Sequence, residues 1–237
     1  MADQKQFAVL IDADNASPAV LPDLLAEIAK YGSPTVKRAY GDWTTQNLVG
    51  WKEQLHRHAI QPMQQFAYTK GKGATDSACI IDAMDLLYAG NVDGFCLVSS
   101  DSDFTRLATR LRESGKYVMG MGEKKTPEAF RAACDRFVFV ELLGPKSATA
   151  EVEVQEGGQA GLRELLTTAV RATERDDGWA GLSAVGSHIN KTHNSFDARA
   201  YGFAKLGDLV RKQAFLEVRA VPDAAGLAQH LQVRLKG

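Results

Sequence analysis

Short apolar runs alternate with amphipathic stretches through the first 143 residues, and this alternation restricts the fold more than any other feature of the sequence. Strand-like runs occupy Phe7–Ile11, Thr35–Tyr40, Ile60–Tyr68, Gly94–Ser99, Tyr117–Met121 and Phe137–Leu142. Helical patterns separate them at Pro18–Lys30, Gln46–His58, Asp76–Tyr88, Asp103–Glu113 and Pro127–Cys134. Such alternation is typical of an α/β fold, in which a parallel sheet carries helices on both faces. The first run contains no polar residue, as expected of a strand that is buried on both faces.

The composition changes after residue 143. A stretch rich in glycine, proline and serine covers residues 144–149, an acidic run follows at 151–156, and a glycine pair ends the segment. No core-forming period is present there, so we predict a flexible linker at residues 144–158. This linker would join a first domain at 1–143 to a second at 159–237.

The second domain has a different pattern. Leu162, Leu165, Leu166, Ala169 and Val170 share one helical face. Two further short helices are expected at Ser183–Lys191 and Lys205–Gln213, and two strands at Phe215–Val221 and Gln229–Leu235. Three short helices followed by a hairpin indicate a small winged-helix domain.

Charge is distributed unevenly between the two domains. The whole chain carries 28 basic and 29 acidic residues, which excludes a uniformly basic nucleic-acid coat protein. Residues 159–237 hold eleven basic and eight acidic residues, whereas residues 1–143 hold sixteen and eighteen. A mildly basic domain therefore follows a mildly acidic one.

The three cysteines, Cys79, Cys96 and Cys134, are scattered and form no Cys-x-x-Cys pair. This pattern disfavours a disulfide framework and a thiolate zinc site, and it is typical of a reducing cytosol. No run approaches the ~20 apolar residues of a membrane span, and no signal-peptide pattern is present. We therefore expect a cytoplasmic protein with no membrane partner.

Aspartates follow the strand-like runs at three places. Asp12 ends the first apolar run, Asp101 follows the fourth, and a glycine-rich turn leads to Asp76 at a helix start. Asp76 alone, like Asp14 or Asp103 alone, would be interpreted as a helix cap. Together, at one edge of a parallel sheet, the aspartates of the three junctions would repel each other by about 3 kcal/mol per pair at ~5 Å. A divalent cation offsets such repulsion, and oxygen-only ligands favour Mg²⁺ or Mn²⁺, which can promote phosphodiester hydrolysis.

These aspartates lie in three blocks that resemble the signature blocks of the NYN family of PIN-like domains. The blocks are Asp12-Ala13-Asp14-Asn15, Lys72-Gly73-Ala74-Thr75-Asp76 and Ser99-Ser100-Asp101-Ser102-Asp103-Phe104. The resemblance covers residues 6–143 and implies a PIN-like Rossmannoid fold and a metal-dependent endoribonuclease. Carried over by position, it makes Asp12, Asp76 and Asp101 the metal ligands. It also makes Asp103 a fourth acid and Asn15 a residue that orients a ligand or the substrate.

The glycine-rich block allows two registers, because a second Lys-Gly pair precedes the first. In the alternative register Asp76 caps the helix and Asp82 is the ligand. The same block lacks the G-x-x-x-x-G-K-[ST] pattern of a phosphate loop. Lys70 and Lys72 are therefore candidates for contacts with an RNA backbone, with a merely solvated loop as the alternative.

The second domain resembles the LOTUS domain, also called the OST-type helix-turn-helix. The resemblance rests on Leu182–Lys191 and on the segment Phe196–Leu206, which contains Tyr-Gly-Phe-x-Lys-Leu. It implies an RNA-binding module. We expect the aromatic residues to pack in the core, and the better candidates for phosphate contacts, which are mostly electrostatic, are Lys191, Arg199 and Lys205. A single-stranded or structured RNA fits better than a duplex, whose major groove side chains cannot read.

These observations predict a metal-dependent ribonuclease tethered to an RNA-binding domain. One alternative is a non-catalytic RNA-binding regulator that keeps the metal-binding cleft, because members of a fold need not share its activity. Another is a nucleotide sensor with a winged helix that reads DNA, although the sequence lacks the phosphate-loop pattern. The sequence leaves open whether the chain is a monomer or a homodimer, and whether the LOTUS domain binds RNA or a protein.

Overall fold

The computed structural model describes residues 4–66, 74–144, 158–222 and 229–236. The chain divides into two compact units, Met1–Gly144 and Pro145–Gly237. Most of the predicted linker, residues 145–157, lies outside the described residues. Within the described ranges, no helix is both long enough and apolar enough to cross a bilayer.

The first unit is built on a six-stranded sheet whose neighbouring strands all pair in parallel. Its strands are β1 (Gln6–Asp12), β2 (Ser33–Gly41), β3 (Gln61–Gln64), β4 (Gly94–Val98), β5 (Tyr117–Gly122) and β6 (Arg136–Phe139). The order across the sheet is β3-β2-β1-β4-β5-β6. The direction of winding therefore reverses between β1 and β4, and α/β folds bind ligands beside the carboxyl ends of the strands at such a reversal.

Helices cover both faces of this sheet, as the sequence predicts. They are α1 (Leu21–Ile28), α2 (Trp51–His58), α3 (Ala74–Ala89), α4 (Thr105–Glu113) and α5 (Glu128–Ala133). Ala8 and Leu10 of β1 pack in the core beneath α3, α4 and α5, and Val9 and Ile11 pack in the opposite core beneath α1 and α2. Burial on both faces explains why this strand shows no polar alternation.

Two of the strands are at least two residues shorter than the sequence predicts. The predicted run Ile60–Tyr68 forms a strand only over Gln61–Gln64, and residues 67 and 68 lie outside the described residues. The predicted Phe137–Leu142 continues as a 3-10 turn after Phe139. Phe139 pairs with Gly122, the last residue of β5, so the strand ends where its neighbour ends.

The described part of the second unit contains three α-helices, a 3-10 turn and a small antiparallel sheet, in agreement with the predicted helices and hairpin. Its elements are α6 (Gly158–Thr173), β7 (Ala180–Gly181), α7 (Leu182–Thr192), α8 (Leu206–Arg211), β8 (Leu216–Pro222) and β9 (Gln229–Leu235). The sequence did not indicate the two-residue strand β7, which pairs with β9. Arg219 and Arg234 lie over the Trp179 ring, 4.0 and 4.7 Å from its centroid, and so connect the hairpin to the loop before β7.

The close packing of β4 against its neighbours leads to a stability prediction. A Cβ atom at Gly94 would lie 2.7 Å from the Phe7 ring and 2.8 Å from the backbone oxygen of Tyr117. We expect Gly94→Ala to lower the free energy of unfolding by about 1–3 kcal/mol, because the strand must move away from a backbone atom. Urea unfolding measures the loss. Gly50→Ala is the control, since a Cβ there meets only Pro18 at 3.5 Å, and equal stability losses in both variants would contradict the packing argument.

Candidate metal centre

Asp12, the last residue of β1, is a buried carboxylate with 2% of its surface exposed. Its Oδ2 accepts a hydrogen bond from Ser99 Oγ at 2.8 Å and another from Asn15 Nδ2 at 2.8 Å. The neighbouring residues Ile11 and Val98 are paired in parallel, so Ser99 comes directly beside Asp12 at the end of β4. The two donors hold the carboxylate in one orientation.

The second oxygen of Asp12 has no such partner. Oδ1 is buried and makes no hydrogen bond within the part of the chain that the structure describes. Burial raises the pKa of Asp12, while the hydrogen bonds from Asn15 and Ser99 act in the opposite direction. A buried carboxylate oxygen without a donor is costly, and a cation would satisfy it.

The junction between β4 and α4 places the next two acids. The backbone N–H of Asp101 donates to Ser99 Oγ at 3.1 Å, and Oδ1 of Asp101 accepts from the backbone N–H of Asp103 at 3.0 Å. Asp101 therefore caps the turn that leads into α4. Ser99 contacts both Asp12 and Asp101, so one hydroxyl connects the two junctions.

Asp76 completes the cluster from the first turn of α3. One carboxylate oxygen from each of Asp76, Asp101 and Asp103 lies within 4.8 Å of the other two. Burial, and then the negative charges of Asp12, Asp101, Asp103 and Asp14, raise the pKa of Asp76 to about 6. The predicted acids therefore meet at one sheet edge, around Asp76.

The three acids that lie within 4.8 Å of one another, here called the tight group, are Asp76, Asp101 and Asp103. The predicted ligand set has Asp12 in place of Asp103. Asp103, predicted as a fourth acid, belongs to the tight group, whereas Asp12 lies beside it. The reason is burial: the Oδ2 of Asp12 is directed to Ser99 and Asn15, whereas Asp103 is exposed in the turn after β4. Asn15 donates to Asp12, and its role in orienting a ligand or the substrate stays a prediction.

Asp82 occupies a different place from Asp76, with which the sequence left it in competition. Its Oδ1 accepts from Arg38 and its Oδ2 accepts from the hydroxyl of Tyr40. Both donors belong to β2, so Asp82 attaches α3 to the sheet two turns after Asp76. Its two oxygens are engaged by these donors, and Asp76 is the member of α3 that meets Asp101 and Asp103.

Two polar contacts at this edge were not predicted. Ser99 connects the two strand ends, and its sequence signal is a polar residue that directly follows a fully apolar strand. The hydroxyl of Thr75 donates to Oδ2 of Asp14 at 2.9 Å and so links the start of α3 to the loop after β1. No spacing rule could have found this pair, since the two residues are far apart in sequence.

The predicted RNA contacts have different environments. Lys70 and Lys72 lie outside the described residues. Lys191, in the last turn of α7, and Lys205, directly before α8, are exposed. Arg199 is partly buried, and its guanidinium donates to both carboxylate oxygens of Asp197 at 3.0 and 2.6 Å. Its charge is therefore already balanced within the second unit.

The donor set fits a hard divalent cation. All candidate ligands are carboxylate oxygens, and none of Asp76, Asp101 and Asp103 makes an ion pair with a cationic side chain in the described ranges. Oxygen ligands of this kind suit Mg²⁺ or Mn²⁺. The unpartnered Oδ1 of Asp12 is the independent sign that positive charge belongs at this edge.

Comparison with known proteins identifies both units. The family model of the NYN domain matches residues 6–142, and that of the OST-HTH/LOTUS domain matches residues 149–227. No curated protein matches the chain.

Several solved structures also match the chain. A protein of unknown function from Vibrio parahaemolyticus is 18% identical, with a TM-score of 0.49, over 58% of this chain and 93% of its own. A fragment of a protein from Chromobacterium violaceum is 34% identical, with a TM-score of 0.28, over 37% of this chain and 91% of its own. An uncharacterized protein from Nitrosomonas europaea is 28% identical, with a TM-score of 0.31, over 40% and 88%.

The raised pKa of Asp76 predicts how stability depends on pH without metal. Because the folded-state pKa of about 6 exceeds the ordinary 3.8, protonation stabilises the fold; this stabilisation is complete below pH 3.8 and is lost as the pH rises through 6. In EDTA at pH 7.5, Asp76→Asn should be more stable than the wild type by about 1 kcal/mol, a value reduced by the solvent screening of a partly exposed group.

Urea unfolding across this pH range measures the effect. The advantage of Asp76→Asn should shrink as the pH falls below 6, because the wild-type carboxyl then becomes neutral. Asp85→Asn, at an exposed position of the same helix, is the control and should show no such change. A gap between Asp76→Asn and the wild type that is the same at every pH would contradict this account.

Proposed function

Since this chain belongs to the NYN domain family, we propose that it is an endoribonuclease that depends on Mg²⁺ or Mn²⁺ and whose OST-HTH/LOTUS domain binds the RNA. The observation that carries the proposal is the group of Asp76, Asp101 and Asp103 beside the buried Asp12. A cytoplasmic location is part of the proposal and is supported by three free, buried cysteines.

Four carboxylates would hold the cation: Asp76, Asp101 and Asp103, with the unpartnered oxygen of Asp12. A bound divalent cation polarises a phosphodiester and promotes attack by water. Ser99 and Asn15 orient Asp12, and the capped turn orients Asp101, so these carboxylates are positioned before the substrate arrives. Asp76 becomes fully charged only above pH 6, which favours cation binding at neutral pH.

The two domains carry opposite net charges, which suits them to different steps. The acidic cluster repels the RNA backbone until a cation neutralises it, whereas the second domain carries a net positive charge. Lys191 and Lys205 are exposed and suit phosphate contacts, which are mostly electrostatic. We therefore propose that the second domain captures single-stranded or structured RNA and that the first domain cleaves it.

Removal of one ligand charge tests catalysis. We expect Asp101→Asn to lower cleavage of a circular single-stranded RNA in Mn²⁺ by at least about 100-fold, since loss of even an outer partner of a metal ligand costs about 10–100-fold. The fold should persist, because asparagine caps a helix start as well as aspartate does. A circular substrate has no ends, so its linearisation reports endonucleolytic cleavage.

Asp85→Asn is the matched control and should cleave like the wild type, while EDTA should abolish cleavage by both proteins. Equal cleavage by the wild type and Asp101→Asn would indicate a contaminating nuclease and contradict the assignment of the site. A wild-type protein that binds RNA but cleaves none with either metal would favour the non-catalytic regulator.

Charge reversal in the second domain tests RNA capture. The double variant Lys191→Glu/Lys205→Glu should bind single-stranded RNA more weakly. Its plot of log affinity against log salt should be shallower by about 1.4, because two phosphate contacts on a single strand are lost. Arg199→Gln should have a smaller effect, since Asp197 already balances that guanidinium. Fluorescence anisotropy at several KCl concentrations measures both quantities.

The control reverses two exposed charges in the first domain, as Lys52→Glu/Arg57→Glu. This variant changes the net charge by the same amount and should retain the wild-type salt dependence to within the error of the slope. If the two double variants weaken RNA binding equally, overall charge rather than a surface of the second domain accounts for capture.

A further inference from the structure

A cavity of about 220 Å³ lies beside the acidic cluster at the carboxyl edge of the sheet. Its lining comes from the loop after β1 and from the ends of β4, β5 and β6. Asn15 and Ser99 belong to this lining, and the same two side chains hold Asp12. The cavity and the candidate metal centre therefore share a wall.

The walls of the cavity are largely apolar. Val98 and Met121 are buried core residues, and Val20 and Val140 line other parts of the wall. Ligand pockets of drug size span about 300–1,000 Å³ and combine apolar walls with a few polar groups. A cavity below that range takes a smaller group, such as one flat ring system.

Glu141 and Ser100 are polar groups of the cavity that can still make a hydrogen bond to a ligand. Glu141 is exposed, and its Oε1 accepts from the backbone N–H of Lys124 at 2.9 Å, while its other carboxylate oxygen makes no hydrogen bond in the described ranges. The hydroxyl of Ser100 accepts from the backbone N–H of Glu123 at 2.9 Å, which leaves its own proton available for donation. Glu123 also lines the cavity. Glu123 is ion-paired with Lys125 at 2.7 Å, so Glu141 is the carboxylate that disfavours a phosphate group and favours a neutral ligand that carries N–H donors.

We propose that this cavity is a nucleobase subsite, which prefers guanine and which rests on the proposed function for its place in RNA cleavage. Guanine presents two adjacent N–H donors next to a carbonyl oxygen, a pattern that suits a carboxylate beside a hydroxyl. Glu141 accepts from the two donors and Ser100 donates to the carbonyl. The apolar side chains cover the faces of the ring.

The position of the subsite determines which RNA sequence and RNA structure the protein prefers to cleave. A base in the cavity lies next to Asn15 and Ser99, so its own phosphodiester lies at the acidic cluster. The base must leave its stack to enter, which favours single strands and loops over duplexes. The cavity thus selects a guanine at the cleaved position, while the second domain contacts the backbone elsewhere.

Nucleoside binding tests the subsite without metal or cleavage. Guanosine, cytidine, adenosine, uridine and inorganic phosphate are titrated separately into the full chain in EDTA, and amide chemical shifts are recorded by NMR. We expect guanosine to shift the amides of Ser17, Ser100 and Gly122, which line the cavity. Guanosine should bind about tenfold more tightly than uridine, since one bidentate contact is lost. Phosphate should leave these amides unchanged.

Two variants make the test specific. Glu141→Gln should lower guanosine affinity about tenfold, because the amide replaces an acceptor with a donor. Val20→Phe keeps the charge and fills the cavity, so it should weaken the binding of every nucleoside. Glu128→Gln is the matched control, at an exposed position outside the cavity, and should bind like the wild type.

The subsite is refuted if guanosine leaves the cavity amides unshifted, if uridine binds there equally well, or if Glu141→Gln binds guanosine like the wild type. These outcomes do not depend on the ribonuclease. A chain that binds guanosine in the cavity but cleaves no RNA would refute the proposed function and leave the base subsite standing. A chain that cleaves RNA without preference for guanine and binds no guanosine would refute the base subsite and leave the proposed function standing.

Discussion

The buried hydrogen bond from Ser99 to Asp12 joins two parallel strands at the place where the winding of the sheet reverses, and the acidic site is built around it. It is possible only because β1 and β4 are neighbours, with Ile11 opposite Val98. The same hydroxyl accepts from the backbone N–H of Asp101, so one side chain links the end of β1 to the turn that Asp101 caps. The helices on both faces bury the strands and leave their carboxyl ends as the place where the acids can meet.

Two carboxylates of α3, Asp82 and Asp76, have different electrostatic environments. Asp82 is balanced by Arg38 and Tyr40, and this contact attaches α3 to β2. Asp76, at the start of the same helix, lies near the carboxylates of Asp101 and Asp103 and makes no ion pair with a basic side chain in the described part of the chain. Burial and these charges raise its pKa to about 6, so the site lowers the stability of the metal-free protein at neutral pH. Residues whose pKa is strongly shifted in a cleft are candidates for functional sites.

The sequence predicted the α/β architecture because each strand and helix has a local signal. The apolar run at Phe7–Ile11 and the spacing of Leu107, Ala108 and Leu111 are patterns that one segment contains by itself. Strand ends were less predictable, since β6 stops where its partner β5 stops. The convergence of Asp76 with Asp101 followed from parallel pairing and from the family resemblance.

Other parts of the site depend on contacts between distant residues. The partners of Asp82 come from β2, about forty positions earlier, and the sequence contains no signal that pairs them. The same is true of Thr75 and Asp14. Whether Asp12 or Asp103 joins the tight group depends on side-chain orientation and burial, which spacing does not encode.

The position of a bound cation tests the central claim most directly. Crystals of the full chain soaked in Mn²⁺ and measured at the manganese absorption edge locate the metal by its anomalous scattering. We predict one strong peak bounded by the carboxylates of Asp76, Asp101 and Asp103, on the side that faces Asp12. An acidic edge without a peak at saturating Mn²⁺, or a peak held by other residues alone, would contradict this claim.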